Sequence, residues 1–317
     1  MTETNFGAKT TAHEVVKRLN VNLDGKVVFI TGATSGIGVE TARALASTNA
    51  HVFITARDMN RGAQVAEDIK KTTGNNQVDV LELDLTSLES VRNCVNQFRL
   101  RKLPINMLIC NAGIMACPYS KTKDGYELQF GVNHLAHFLL VTSLLPELKA
   151  GKPARIIMVS SVLNKFQGIN FEDINWEKNY DKWLAYGQSK TANILFALQL
   201  NKLYKSEGLR AFALNPGAIM TNLQNVLPIE EQQAMGYFKE DGTLADFFKS
   251  VEQGASTSVY AALASELDHS DGEYLEDCAI TRIVNDNKTE FIGRAPHAAD
   301  MKAAEQLWAL SEKMVAE

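Results

Sequence analysis

The chain is predicted to be an α/β protein: a single doubly wound domain, a seven-stranded parallel sheet with helices on both faces. Three observations predict it. Short β-rich apolar runs recur along the chain, each followed by a longer stretch of helical period. These runs lack the alternation of a half-buried strand, as in Val27-Val28-Phe29-Ile30, so both faces of the sheet must be covered. No internal repeat, low-complexity tract or Pro/Gly/Ser linker divides the chain.

Strands are expected at 26–31, 51–55, 77–83, 105–110, 155–159 and 209–214, with a seventh near 272–275. Helices begin near Gly36, Arg61, Ser87, Gly125, Leu184 and Glu252, and another closes the chain. Irregular stretches fall at 165–182, 222–249 and 285–297. Long loops within a compact fold are usually functional or mobile, and the first two are read as substrate loops. Residues 1–24 read as an N-terminal extension ahead of a domain over 25–317.

Composition narrows the class. With 317 residues, 45% apolar and 22% charged, the chain can bury one large core. A net charge of −5 argues against a nucleic-acid partner, which calls for an excess of Lys and Arg. Cys94, Cys110, Cys117 and Cys278 form no CxxC pair and have no His at ligand spacing. They read as free thiols in a cytoplasmic protein without a metal, Cys278 as a small buried apolar residue. The first 24 residues carry no apolar core, and no window approaches the ~18 apolar residues of a spanning helix, so neither secretion nor a transmembrane segment is expected.

Two patterns carry chemistry. Thr31-Gly32-Ala33-Thr34-Ser35-Gly36-Ile37-Gly38 follows the first strand and turns directly into an apolar helix. Glycines let the backbone approach a ligand, and the helix N-terminus offers free N–H groups to a pyrophosphate. The spacing is GxxxGxG rather than GxGxxG, and a tight strand-to-helix turn without a ligand has the same glycines. Tyr186 and Lys190 lie four apart in a helical stretch, on one face. A nearby ammonium favours a phenolate, so the pair suits proton transfer, although such a spacing also occurs on ordinary solvated helix faces.

Six segments then come in a telling order: TGATSGIG at 31–38, NAG at 111–113, Asn133 within VNHLAHF, Ser161 within VSSV, YGQSK at 186–190 and NPGAIMT at 215–221. In order and spacing they resemble the short-chain dehydrogenase/reductase family, over roughly residues 24–278, which implies a Rossmann domain. Within that family, TAHEVVKRLNVNLDGKVVFITG, TKDGYELQFGVNHLAHFLL, SKTANILFALQL and GEYLEDC are most similar to the retinol dehydrogenase and WW-domain-containing oxidoreductase branch.

The resemblance implies an oxidoreductase that interconverts an alcohol and its ketone or aldehyde by hydride transfer. Tyr186 would be the acid/base, Lys190 would lower its pKa and hold the nicotinamide ribose, and Ser161, at the second position of the VSS turn, would bond the reacting oxygen. Asn133 would hold a water between Lys190 and solvent. The dinucleotide would lie on Gly32, Ser35, Gly36, Ile37 and Gly38. Asp84 and Leu85 would meet the adenine, and Asn111, Ala112 and Gly113 would line the adenosine ribose and the turn beside it. Pro216, Gly217, Ile219 and Thr221 would flank the nicotinamide, Thr221 bonding its carboxamide. His134 and His137 read as helix packing residues.

The cofactor is expected to be NADP(H) in preference to NAD(H). The acid that grips an unphosphorylated ribose in this family falls eighteen residues after Gly38, where this chain has Ala56 followed by Arg57. A guanidinium there attracts a 2′-phosphate, unless Asp58 neutralises it. Phe166, Phe171, Trp176, Tyr180 and Trp183, with Leu223, Leu227, Ile229, Met235, Tyr237, Phe238, Phe247 and Phe248, would line a pocket for an apolar carbonyl or alcohol. The same side chains suit a satellite core under long loops. A homodimer or homotetramer is the assembly expected. Two other classes fit the fold: a dinucleotide-binding regulatory protein with reduced catalysis, against which Asn133, Ser161, Tyr186 and Lys190 stand intact, and a sugar-nucleotide epimerase, for which too few residues follow Thr221.

Overall fold

The structure, a computed structural model, describes residues 6–270, 272–285 and 292–316. Its elements run α1 (Ala12–Leu19), β1 (Val27–Ile30), α2 (Ile37–Ala46), β2 (His51–Ala56), α3 (Met59–Thr73), β3 (Val78–Glu82), α4 (Leu88–Arg99) and β4 (Met107–Cys110). Then come α5 (Leu128–Phe130), a π-turn at Gly131–Leu135, α6 (Ala136–Ser143), α7 (Leu145–Ala150), β5 (Ala154–Val159), α8 (Lys182–Tyr204), β6 (Leu209–Asn215) and β7 (Ala218–Ile219). The chain ends with α9 (Ile229–Ala234), β8 (Phe248–Lys249), α10 (Val251–Gly254), α11 (Ser256–Leu263), β9 (Tyr274–Glu276), β10 (Ala279–Ile280) and α12 (Met301–Ala316).

The main sheet has the order β10-β9-β6-β5-β4-β1-β2-β3. Alternate residues of its central strands feed separate cores. Val27, Phe29, Leu108, Cys110, Ile156 and Met158 pack on one face, while Val28, Ile30, Met107, Ile109, Ile157 and Val159 pack on the other. Period-two geometry with helices on both sides requires that division, and it explains why the strands read as unbroken apolar runs.

The sheet corrects the strand count: among the described residues it has eight strands rather than seven, because β10 joins β9 antiparallel at the edge. The cause is local. Asp277 (φ 52°) and Cys278 (φ 59°) are both left-handed, the backbone of a two-residue hairpin turn that reverses the chain. β7 and β8 form a separate two-stranded parallel sheet within the stretch expected to be irregular at 222–249 and just before it. Of the irregular stretch expected at 285–297, residues 286–291 lie outside the described residues.

Helix starts follow their caps. Asp58 accepts from the backbone N–H of Asn60 and Arg61, Ser87 from Ser90, and Asp181 from Trp183 and Leu184, so α8 begins two residues before Leu184. Helix α8 is buried on nearly all sides, and its buried polar residues, among them Gln188, Ser189, Thr191 and Asn201, find hydrogen-bond partners there. One side meets the sheet core through Ile194 and Phe196, and another meets α12, where Leu195 packs with Leu307. Helix α1 opens with a capping box at Thr11 and Glu14 and buries Ala12 and Val15. Strand order reverses between β1 and β4, which opens a crevice at their C-terminal ends.

Candidate active site

The glycine-rich turn lines that crevice. Gly32 has φ +67°, and a Cβ there would lie 2.7 Å from the Ala112 Cα; at Gly38 it would lie 2.4 Å from the Gly32 carbonyl oxygen. Gly36, φ +58°, caps α2 without a side chain, and its missing Cβ would stand 3.2 Å from the Thr221 Cγ2. Three motifs far apart in sequence thus meet: the glycine turn, the Asn111–Gly113 turn and the segment ending at Thr221. The first N–H groups of α2 have no side-chain cap, an arrangement suited to a phosphate.

Asn111 is part of the cradle. Its Nδ2 donates to the carbonyl oxygens of Thr31 and Gly32, at 3.0 and 3.1 Å. Asp84 lies two residues past β3 beside buried Leu85. Burial works to raise its pKa, but Lys123, 2.9 Å from Oδ2, and Thr86 hold the carboxyl below its ordinary range. In the segment ending at Thr221, Gly217 (φ +96°) follows Pro216 and leaves room for the Lys249 side chain, Ile219 is buried, and Thr221 N–H donates to Gln224 Oε1 at 2.9 Å.

Arg57 is exposed just past β2, and Asp58 turns to the helix, its Oδ1 accepting from the Asn60 and Arg61 amides. The structure adds a residue that the sequence reading missed. Arg61 Nε donates to the Thr34 carbonyl oxygen at 3.1 Å, which carries a second guanidinium to the glycine turn. Its spacing from Arg57 was the available signal, but its reach to Thr34 depends on the packing of α3 beside the turn.

The proton-transfer residues converge deeper in the crevice. Tyr186 is 5% exposed and Lys190 3%. Lys190 Nζ donates to the Val159 carbonyl oxygen at 3.1 Å and stands 5.5 Å from the Tyr186 ring centroid. Ser161 stands beside the Tyr186 phenol, whereas Ser160 donates to the Lys190 carbonyl oxygen at 2.8 Å and supports the helix. Burial pushes the Tyr186 phenol up, Ser161 pulls it down, and Tyr237 adds to the rise. Burial weakens the hold of Lys190 on its own proton, to about 8.

Asn133 sits in the π-turn with its amide fully engaged. Oδ1 accepts from the Ile114 N–H at 2.8 Å, and Nδ2 donates to the Ile114 carbonyl oxygen and Ser189 Oγ, both at 2.9 Å. Its side chain is thus scaffolding for the turn beyond Gly113, where an added Cβ would lie 3.3 Å from Lys190 Nζ. His134 and His137 are both fully buried.

The aromatic segments divide. Trp183, Leu223 and Tyr237 pack with Met115, Leu227 and Tyr186 into an apolar wall around the phenol. Phe171 instead joins the core beneath α12, Trp176 is buried, and Phe166 and Phe247 are exposed.

Residues 26–232 match the family model described as short chain dehydrogenase. The chain belongs to the short-chain dehydrogenase/reductase family. The enzyme is 41% identical to retinol dehydrogenase 12 of Homo sapiens over 93% of this chain and 88% of that one. It is 38% identical to the short-chain dehydrogenase/reductase prx1 of Penicillium roqueforti, over 97% and 91%. A solved structure from Mycobacterium paratuberculosis matches with a TM-score of 0.72 and 34% identity, covering 97% of this chain and 98% of that one. The enzyme is therefore an oxidoreductase of CH–OH groups that uses a nicotinamide dinucleotide. Among the described residues no helix is long and apolar enough to cross a membrane.

Proposed function

We propose that the enzyme is an NADP(H)-dependent carbonyl reductase and alcohol dehydrogenase for apolar substrates, with Tyr186 as its acid/base. The observation that carries this is the meeting of a buried phenol, with Ser161 beside it, with an apolar wall on one side and Lys190 one helical turn below.

When bound, the nicotinamide supplies the hydride to the substrate carbon or takes it away. The chain's own residues manage the oxygen and its proton. A carbonyl oxygen entering along the wall of Met115, Leu227 and Trp183 meets the Tyr186 hydroxyl and Ser161. Ser161 holds it, and Tyr186 donates the proton that makes the alcohol. Because burial keeps the phenol protonated, the resting site is poised for reduction; oxidation runs the same path backwards and needs a proton removed first.

The residues also suit the dinucleotide. The uncapped start of α2 and the glycine turn would hold the pyrophosphate, Asn111, Ala112 and Gly113 the adenosine ribose, Asp84 and Leu85 the adenine, and Thr221 the carboxamide. Arg57 and Arg61 would hold a 2′-phosphate through charge-assisted bonds. All four cysteines are free and three of them are buried, which favours work in the reducing cytoplasm.

The test is a panel of ketones, aldehydes and alcohols followed by cofactor absorbance with NADPH and NADH. Bulky apolar compounds should be turned over better than small polar ones, and NADPH should be preferred. A clear preference for small hydrophilic substrates overturns the substrate class, and a preference for NADH overturns the cofactor.

A further inference from the structure

His137 lies one helical turn after Asn133 and is wholly buried, with partners on both ring nitrogens. Nδ1 is 3.0 Å from the Asn133 carbonyl oxygen, and Nε2 is 2.9 Å from Thr31 Oγ1. A carbonyl oxygen only accepts, so Nδ1 carries the proton. Burial, aided by the Lys190 charge, brings the ring pKa down to about 4 and keeps it neutral, which leaves a lone pair on Nε2. The Thr31 hydroxyl must therefore donate to Nε2, and its oxygen accepts from the Asn111 and Ala112 amides at 3.0 and 3.1 Å.

Every hydrogen on this path has one direction. The amides of Asn111 and Ala112 donate to Thr31, Thr31 donates to His137, and His137 donates to the carbonyl of Asn133. The Asn133 amide then brackets the N–H and C=O of Ile114, three residues beyond Asn111. The path is a closed ring of bonds around the Asn111–Gly113 turn. On one side lies the glycine turn, and on the other Gly113 abuts Asn133 Oδ1 and Lys190 Nζ. A leucine of similar size would fill the same space without making either bond, so packing alone does not require a histidine here.

We propose that His137 is a positioning residue of the active site, in which Nδ1 fixes Asn133, whose side chain holds the turn at Gly113 against which Lys190 Nζ lies, while Nε2 fixes, through Thr31, the turn that bears the dinucleotide. The inference rests on the function proposed above, and its two halves separate by substitution. Asparagine keeps a donor at the δ position, within reach of the Asn133 carbonyl. Glutamine puts an acceptor at the ε position, facing Thr31. Leucine keeps neither.

The experiment measures kcat with the best carbonyl substrate, Kd for NADPH by nicotinamide fluorescence, and the His137 tautomer of the wild-type enzyme by ¹⁵N NMR. The wild type should hold the proton on Nδ1. His137→Leu should lose about tenfold in both kcat and NADPH affinity, the size expected from leaving buried partners unmatched. His137→Asn should recover kcat to within about threefold but bind NADPH weakly, and His137→Gln should do the reverse. A leucine variant equal to wild type in both quantities overturns the inference, as do three variants that lose both equally, or an Nε2–H tautomer. A wild-type protein that reduces no carbonyl and binds no NADPH defeats the proposed function instead, while the tautomer still decides whether the ring of bonds exists.

Discussion

Lys190 donates to the carbonyl oxygen of Val159 at 3.1 Å, a bond between α8 and β5, and both partners are buried. Burial lowers the ammonium pKa from 10.5 to about 8. Between those values the unfolded chain binds more protons than the folded one, so the stability contributed by this group rises as pH climbs through that window. Below it, the folded state carries a penalty of about 3 kcal/mol. Lys190→Met should therefore be inactive yet more stable than wild type at pH 7, by about 1–3 kcal/mol. Val159 keeps a partner, because Asn193 Nδ2 also donates to it at 3.1 Å. Urea unfolding at pH 7 and pH 10 is the check. The gain should shrink at pH 10, and a variant less stable than wild type at pH 7 would mean that the hydrogen bond outweighs desolvation.

The Tyr186 phenol, raised by burial, stays protonated through neutral pH. Reduction should hold steady from pH 6 to 8 and decline only in alkaline solution, while oxidation should climb with pH. Tyr186→Phe should cost about 100-fold or more in kcat with cofactor affinity nearly unchanged. Steady-state kinetics in both directions decide this, and near wild-type turnover in the phenylalanine variant would rule out the acid/base role.

Arg57 and Arg61 are expected to share the 2′-phosphate. Arg57→Ala should reduce the kcat/KM preference for NADPH over NADH by about tenfold or more, and Arg61→Ala by about threefold, since Arg61 is also tied to Thr34. The double variant should lose the preference. An unchanged ratio in Arg61→Ala removes that residue from the site.

Glu231 latches the 222–249 segment to α8, its carboxylate accepting from Lys182 Nζ at 2.6 Å and Trp183 Nε1 at 3.2 Å. The latch holds Leu223, Leu227 and Tyr237 against Tyr186. An exposed ion pair is worth up to about 1 kcal/mol, so Glu231→Gln should raise KM for bulky apolar substrates by about two- to fivefold with little change in kcat. Lys182 leads in holding the carboxyl below its usual 4.5. The latch therefore persists above that pH and is lost as pH falls through the lowered value. High salt should imitate the variant in wild type, and a salt-insensitive KM equal to that of the variant would refute the latch.

Strands β1 to β6 fall within two residues of the expected bounds because their signals are local: unbroken apolar runs, glycines at turns, and capping residues such as Ser87. β10 escaped because Cys278 stands where such a hairpin turn usually has glycine, and Asp277 alone is a weak signal. Local sequence likewise gave no means of dividing Phe171 from Trp183. Both are large apolar groups in one stretch, and only the docking of α12 draws the first away from the site while the second stays beside Tyr186.

Sequence by itself determined the doubly wound class, the glycine turn and the residues of the proton-transfer set, since periodicity and fixed spacing are properties of neighbouring positions. Tertiary structure decided how those residues are held. Thr31 meets His137 across 106 positions, Asn133 meets Ser189 across 56, and Arg61 meets Thr34 across 27. A buried polar group must find a partner somewhere in the folded chain, and which partner it finds depends on elements that come together only when the sheet closes over its helices.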